Sequence, residues 1–253
     1  MPRLTDKTAI RAILRRDPAW SVYALGDLAP PMFPKTQWFS SASGADLTLV
    51  LHDFGTSILF AVGSASVREG LGHATTPVHL QVQQEALDEI TRHAEVSEVR
   101  QMWRMVWQDW PRDRGPSAAG HIVRLGPGDV PALQSLYADG EATGEAPDFF
   151  YPAMVANGVF FGIYEDQRLV SAAGTHLHAP EEQAVAIGNI YTLRDRRGHG
   201  LGKMVTRAVL EAVKDVGTVG LNVKAGNHAA LHLYESLGFV RHCSFFEGLA
   251  SGR

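Results

Sequence analysis

The sequence predicts an α/β protein with a mixed β-sheet, arranged as two domains in tandem. A strand, a glycine-rich turn, an amphipathic helix and a second strand follow one another between residues 186 and 223, which is the pattern of a βαβ unit. All five tryptophans lie before residue 111. Residues 111–120 are polar and rich in proline and glycine, which is typical of a linker. We therefore expect one domain over residues 1–112 and a second over residues 120–253.

The composition is that of a globular protein. The 253 residues are enough for two domains, and 45% of them are hydrophobic. A net charge of −4 argues against a general nucleic-acid binder, whose domains usually carry an excess of basic residues. The single cysteine excludes an intramolecular disulfide, and no apolar run reaches membrane-spanning length. We expect a cytoplasmic protein without nucleic-acid or membrane partners, either a monomer or a homodimer.

The local patterns define the elements of both halves. In the first half we predict helices near 5–15, 18–28, 64–72 and 84–94, and strands at 37–41, 47–51, 58–62, 78–82 and 101–109. In the second half we predict a strand at 121–125, a helix over 130–138 capped by Asp129, an acidic loop at 139–148, and a hairpin of residues 159–165 and 168–177. Strands at 186–193 and 219–223, with a helix between them, complete the βαβ unit.

The turn between strand and helix, residues 197–202, has the composition of a phosphate-binding loop. It contains three glycines and runs into a helix whose predicted apolar face is Leu201, Met204, Val205, Ala208, Val209, Ala212, Val213 and Val216. Glycines let a phosphate approach the backbone, and a helix N-terminus presents unpaired N–H groups to it. Arg194, Arg196, Arg197 and Lys203 add positive charge. The alternative is a tight turn that only packs the helix on the strand.

The spacing of the glycines excludes two common nucleotide motifs. A dinucleotide fingerprint requires G-x-G-x-x-G, but after Gly198 and Gly200 the next glycine is Gly202. A Walker loop requires a glycine five residues before Gly202 and Ser or Thr after Lys203, and those positions are arginine and methionine. The turn therefore belongs to another class of phosphate site.

Two segments of the second half resemble motifs of the GCN5-related N-acetyltransferases. Arg197-x-x-Gly200-x-Gly202 is similar to the R/Q-x-x-G-x-G/A pyrophosphate loop of that family. Residues 227–239 are similar to its N-x-x-A-x-x-L-Y-x-x-x-G-F segment. The resemblance implies the acyl-CoA N-acyltransferase fold, with acetyl-CoA as co-substrate. The first half has a related order of elements, but residues 63–68 lack the glycine pair and the leading basic residue, so we interpret it as a degenerate copy without a phosphate loop.

The resemblance also implies roles for individual residues. In the family two neighbouring parallel strands splay apart and pair with the pantetheine arm; here Ile190, Tyr191 and Thr192 would offer their backbone to it. Asn227 would lie beside the cofactor, although an N-cap alone explains it equally well. The residues implied at the pyrophosphate are Arg197, Gly198, His199, Gly200, Leu201, Gly202 and Lys203. The alternative for Ile190, Tyr191 and Thr192 is an ordinary internal strand.

Tyr234 is the candidate catalytic residue. It lies on one helical stripe with Ala230, Leu233 and Leu237, so a core aromatic is the alternative. As a general acid, its phenol would protonate the leaving CoA thiolate. The general base stays open: Glu141, Glu145, Asp148, His176 and His178 are candidates, and Asn189 could order a water but cannot act as a base.

Two further features favour structural explanations. His228 and His232 are spaced as in helical zinc sites, but Ala229 stands where the catalytic Glu would be, so we expect no metal. Cys243 has no base nearby and is expected to be a small buried apolar residue.

The predicted function is transfer of the acetyl group of acetyl-CoA to a primary amine of a small molecule or peptide. One alternative is a sensory module that binds acyl-CoA without turnover, which release of free CoA thiol would exclude. Another is a structural tandem in which neither half binds CoA, which titration with CoA would test. The fold does not specify the acceptor.

Overall fold

The structure is a computed structural model that describes residues 3–53, 55–110, 122–147 and 149–252. In these residues the strands are β1 (Arg3–Leu4), β2 (Thr36–Ser40), β3 (Leu47–Asp53), β4 (Thr56–Val62), β5 (Val78–Val82), β6 (Ala94–Trp107), β7 (Ile122–Arg124), β8 (Phe160–Glu165), β9 (Arg168–Ala179), β10 (Ala184–Thr192), β11 (Thr218–Lys224) and β12 (Phe239–Gly252). The α-helices are α1 (Lys7–Leu14), α2 (Val22–Gly26), α3 (Val67–His73), α4 (Gln84–His93), α5 (Val130–Glu141), α6 (Pro152–Asn157), α7 (Leu201–Val213) and α8 (His228–Glu235).

The chain divides into two compact units. The first comprises Met1–Met105, Asn222–Asn227 and Arg241–Arg253, and the second comprises Val106–Leu221 and His228–Val240. Most of β12 therefore belongs to the first unit, although it follows the second unit in the chain. The predicted domain boundaries at 112 and 120 lie outside the described residues and stay a prediction.

The first unit has the strand order β1-β2-β3-β4-β5-β12-β6. β4 and β5 are parallel, and β12 pairs with β5 in the antiparallel direction. Its core is rich in aromatic and branched side chains. Trp20 and Trp38, for example, are only 2% and 1% exposed. Residues of β3, β4 and β5 pack with α3 and α4 in one apolar cluster that includes Val50, Leu80 and Ile90.

The second unit has the strand order β11-β10-β9-β8-β7. β10 and β11 are parallel, whereas the other neighbours are antiparallel. α7 lies against β8, β9 and β10. Asp166 and Gln167 both adopt positive φ and join β8 to β9, as the predicted two-residue hairpin turn requires.

Several local predictions were wrong. α5 continues to Glu141, so the acidic loop is shorter, and α6 was not predicted at all. Asp129 does not cap α5 with its side chain, because a 3₁₀ turn precedes the helix. Its carboxylate instead accepts hydrogen bonds from the Gly126 N–H and the Tyr164 hydroxyl, at 2.8 and 2.9 Å. Cys243 is only half-buried.

The buried face of α7 also differs from the predicted stripe. Ala212 is exposed, which a methyl side chain tolerates at little cost. Thr206 and Leu210 are fully buried. The Thr206 hydroxyl donates a 2.7 Å hydrogen bond to the Gly202 carbonyl, and this internal bond lets a polar residue enter the core.

Candidate functional site

The parallel pairing of β10 with β11 is short. It consists of three residue pairs and ends at Ala186 and Gly220. β10 continues to Thr192, so its residues after Ala186 have backbone on this side that does not pair with β11. Unpaired strand backbone needs another hydrogen-bond partner, and an extended ligand can provide one. Ile190, Tyr191 and Thr192 lie in this segment.

A β-bulge interrupts β10 on its other side. Gly188 pairs with Gly174 of β9 and Tyr191 pairs with Ala172, so two residues of β10 lie opposite one residue of β9. Asn189 lies in the bulge with φ 52°, a left-handed conformation that asparagine adopts more readily than most residues. The bulge turns local backbone groups away from the ladder.

Asn189 itself is buried at 2% exposure. Its carbonyl accepts a 2.9 Å hydrogen bond from the Tyr137 hydroxyl of α5, and its Nδ2 lies 3.5 Å from the sulfur of Met154. Its Oδ1 has no hydrogen-bond partner among the described residues. A buried amide oxygen of this kind is rare in native proteins and is a candidate ligand-binding atom.

Asp139 at the end of α5 fixes the far end of β10, and sequence analysis missed it. Its Oδ2 accepts hydrogen bonds from the Tyr191 hydroxyl at 2.9 Å and from the Arg194 N–H at 3.2 Å. These bonds, led by the one from the Arg194 backbone, lower the pKa of Asp139. Burial and the same contact raise the pKa of Tyr191. No local signal in the sequence connects positions 139 and 191, because the contact depends on tertiary structure.

The glycine turn adopts the conformation that its sequence predicts. Gly198 and Gly200 have φ of 83° and 75°, and a Cβ at either would meet nothing within 4 Å. α7 begins directly after Gly200, and the first N–H that bonds back to the turn is Met204 N–H to Gly200 O, at 3.1 Å. Across residues 198–203, which are all described, the backbone N–H groups therefore have no hydrogen-bond partner within the described residues, as is usual at a helix N-terminus.

The two cations of the turn differ in their surroundings. The Arg197 guanidinium binds both carboxylate oxygens of Glu145, at 3.0 and 3.2 Å, and donates to the Thr192 carbonyl at 3.3 Å. The hydrogen bond from Arg197 lowers the pKa of Glu145, which makes this carboxylate a poor general base. Lys203 is exposed and forms no ion pair with any described residue.

The start of α7 brings the two sequence motifs together. A Cβ placed on Gly202 would lie 3.3 Å from the Thr192 hydroxyl and 3.6 Å from a methyl group of Leu233. A small residue therefore fits closely at this position, between a side chain of β10 and one of α8. Tyr234, the next residue of α8, is half-buried, and its ring packs edge-on against Phe239 at 6.0 Å. Tyr234 is thus not a fully buried core residue.

The remaining predicted residues are on several different elements. Asn227 is exposed directly before α8 and belongs to the first unit. Glu141 is exposed, and His176 and His178 are half-buried on β9. Asp148 lies outside the described residues. No group of three or more His, Cys, Asp or Glu side chains in the described ranges could hold a metal ion.

Comparison with known proteins identifies the second unit. Residues 130–239 match the Acetyltransferase (GNAT) family. This part of the chain belongs to that family. The resemblance to the GCN5-related N-acetyltransferases that the two motifs indicated is therefore confirmed. The chain is also 38% identical over 92 residues to a mycothiol acetyltransferase from Rhodococcus jostii, and 33% identical over 141 residues to one from Geodermatophilus obscurus.

These two alignments cover 34% and 53% of this chain, but only 30% and 41% of the relatives' own lengths. Solved structures match over more of the chain. A GNAT-family protein from Novosphingobium aromaticivorans has 23% identity and a TM-score of 0.63, covering 92% of this chain and 96% of its own. A tandem GNAT protein from the clavulanic acid biosynthesis pathway has 17% identity and a TM-score of 0.58, covering 99% and 98%. The predicted tandem acyltransferase fold is confirmed.

In the first unit, side chains form hydrogen bonds to the backbone at the turn before α3 and at the end of β4. At the turn before α3, the carboxylate of Asp46 accepts the N–H groups of Ser64 and Ala65, at 3.0 and 2.7 Å. At the end of β4, the Trp20 indole donates to the Ala61 carbonyl at 3.0 Å. The first unit thus provides partners for these backbone groups from its own side chains. None of the helices in the described part of the chain is long and apolar enough to span a bilayer.

Proposed function

We propose that this protein transfers the acetyl group of acetyl-CoA to a primary amine of a small molecule or peptide. The observation that supports this most is that two features occur together: the β10–β11 ladder ends early, and an exposed glycine turn follows β10. The first feature offers backbone to the pantetheine arm, and the second offers N–H groups to a pyrophosphate. Family membership of residues 130–239 supports the same reaction.

The residues of the second unit fit acetyl-CoA. Ile190, Tyr191 and Thr192 lie where β10 no longer pairs with β11, although the Tyr191 and Thr192 carbonyls already accept hydrogen bonds from the Ser171 hydroxyl and the Arg197 guanidinium. The N–H groups of residues 198–203 have no hydrogen-bond partner among the described residues. His199 and Leu201 contribute only backbone to this cradle in our proposal. Lys203 supplies positive charge, and Arg197 supplies more when it leaves Glu145. Asn227 precedes α8 and completes the set that the family motif implies.

The proposed chemistry is direct transfer. The amine nitrogen forms a bond to the acetyl carbonyl carbon and releases a proton to a base, while the carbon–sulfur bond breaks. The Tyr234 hydroxyl donates its proton to the leaving sulfur. A backbone N–H at the bulge of β10 donates to the carbonyl oxygen as negative charge develops there. Because the amine attacks the thioester directly, the proposed route has no acyl-cysteine step.

Asn189 supports the position of the acceptor. Its Oδ1 is a buried hydrogen-bond acceptor without a partner among the described residues. An amine or an ordered water next to the bulge would satisfy it. The amide does not titrate, so Asn189 would orient the acceptor and leave the proton to another group.

The acceptor is proposed from the relatives. Those described above are named mycothiol acetyltransferases, so mycothiol lacking its acetyl group is the first amine to test. The experiment measures release of free CoA thiol from acetyl-CoA with this amine, with amino acids, with aminoglycosides and with short peptides. Turnover with one class supports the enzyme. Tight CoA binding without release of CoA thiol in the presence of any of these amines would favour the sensory module instead.

A further inference from the structure

The first unit contains a fully buried arginine without a hydrogen-bond partner. Arg104 lies on β6 at 0% exposure, and its Nε, Nη1 and Nη2 all lack an acceptor among the described residues. Burial lowers the pKa of this guanidinium, as expected where water is excluded. A buried unpaired charge is strongly unfavourable, so arginines in such positions normally bind a carboxylate or phosphate.

Three aromatic rings surround the guanidinium. The centroids of Tyr23, Trp20 and Phe245 lie 4.7, 5.2 and 5.4 Å from the Arg104 Cζ. Aromatic rings stabilise a cation over their faces but accept no strong in-plane hydrogen bond. The N–H groups at the edge of the guanidinium plane are therefore the groups that need a partner.

The nearby acidic side chains do not supply that partner. Asp17 accepts the Trp20 N–H at 3.0 Å and forms an ion pair with His242 at 2.8 Å. Glu247 lies 3.7 Å from Arg100. Both carboxylates act on Arg104 only at longer range, where they favour its charged form. A second buried group, the Ser21 hydroxyl at 1% exposure, also lacks a partner among the described residues.

We propose that Arg104 is the centre of a second ligand site, which binds a small organic monocarboxylate. The planar fork of N–H donors matches a carboxylate in two-pronged geometry. The apolar ring cage suits a ligand with a short hydrocarbon or aromatic part. Asp17 and Glu247 place negative charge nearby, which disfavours a phosphate dianion relative to a singly charged carboxylate. This site lies within the first unit and is independent of acyl transfer.

Tyr23 and Cys243 are the partly exposed residues around Arg104, so we expect the ligand to enter beside them. Both are half-exposed, whereas Trp20 and Phe245 are buried. Cys243 is the only cysteine of the chain, and burial raises its pKa, an effect that the charge of Arg104 partly opposes. A carboxylate bound to Arg104 would cover the thiol and neutralise that charge. Both effects reduce the thiolate fraction that reacts with alkylating agents.

The test measures the rate of iodoacetamide alkylation of Cys243 in the full chain, at constant ionic strength, with acetate, propionate or benzoate. The proposal predicts saturable slowing by at least one of the three, together with a rise in melting temperature at the same concentrations. Arg104→Met should abolish both effects, and Arg100→Met, on the exposed part of the same strand, should retain them. Methionine fits an aromatic cage, so the variant should fold.

Two results would overturn the proposal. One is the absence of saturable slowing with all three carboxylates in the wild-type protein. The other is equal slowing by inorganic phosphate or chloride, which would assign the effect to general screening. A carboxylate effect that persists in Arg104→Met would also remove Arg104 from the site.

Discussion

The guanidinium of Arg197 is held by the carboxylate of Glu145 through two nitrogen–oxygen contacts of 3.0 and 3.2 Å. Arg197 is the leading basic residue of the segment that resembles the pyrophosphate motif, so in the proposed CoA complex Glu145 would compete with the phosphate for it. The pair is exposed, with 42% and 45% of the two side chains accessible. Exposed pairs of this kind contribute about 0.2–1 kcal/mol, which sets the size of the competition.

Replacing Glu145→Gln should therefore tighten CoA binding by about two- to fivefold, the range that such a pair energy allows. The pKa of Glu145 is depressed, so the wild-type pair persists at neutral pH and is lost only as the pH falls through that depressed value. The difference between the two proteins should be present at pH 7. Calorimetric titration with CoA measures it. Glu141→Gln, a nearby exposed residue, is the control, and weaker binding in Glu145→Gln would contradict the model of competition.

Gly200→Asp should abolish CoA binding. The substitution puts a side chain and a negative charge into the open space beside the helix N-terminus, where we expect the pyrophosphate. Gly200→Asn is the matched control, since asparagine has the same shape, tolerates the positive φ of 75° and carries no charge. It should bind CoA more weakly than wild type but far better than the Asp variant. Equal CoA affinities of the wild-type, Asp and Asn proteins, all folded, would show that the loop is not part of the binding site. Gly202→Asp should behave like Gly200→Asp.

Tyr234→Phe should lower turnover on the order of 10²-fold while leaving CoA affinity nearly unchanged. The ring and its contact with Phe239 are retained, but the proton donor is lost. Rates with an identified amine acceptor and the melting temperature provide the measurement. Tyr164→Phe, which removes the hydroxyl bound to Asp129, controls for the loss of a tyrosine hydroxyl elsewhere in the unit. A Tyr234→Phe enzyme with wild-type kcat would exclude the general-acid role.

The chain should bind one CoA. In the first unit, Asp46 occupies the N–H groups of Ser64 and Ala65, and Trp20 occupies the carbonyl of Ala61. Titration should give a stoichiometry of one. Asp46→Ala should reduce the free energy of unfolding by about 0.5–2 kcal/mol, as for a lost helix cap, without creating a second site. Two CoA molecules bound to the wild-type chain would show that the first unit retains a cofactor site.

Asn189→Gly should lower kcat/KM for the amine by about two- to tenfold, as expected for one lost hydrogen bond. Glycine accepts the φ of 52° and preserves the bulge, so CoA affinity should not change. Asn189→Asp keeps an acceptor oxygen at the same place and should retain more activity than the glycine variant. Equal activity of all three enzymes would argue that Oδ1 has no part in orienting the acceptor.

The sequence alone determined the conformation of the glycine turn and of the neighbouring elements. Positive φ at Gly198 and Gly200, the start of α7 and the two-residue turn at Asp166 and Gln167 all follow from local residue preferences. Such features depend on neighbouring residues in the chain, which a sequence displays directly. The family motifs likewise consist of residues within a dozen positions of one another.

Only the tertiary structure decided what those residues contact. The Arg197–Glu145 pair and the Tyr191–Asp139 hydrogen bond each join positions far apart in the chain. The burial of the Asn189 oxygen without a described partner likewise depends on tertiary packing. Likewise, Arg104 looks like an ordinary strand arginine in the sequence, and its burial under three rings depends on segments from both ends of the chain. The physical reason is that side-chain pairing and burial are set by the packing of distant elements, whereas backbone turns are set by the residues that form them.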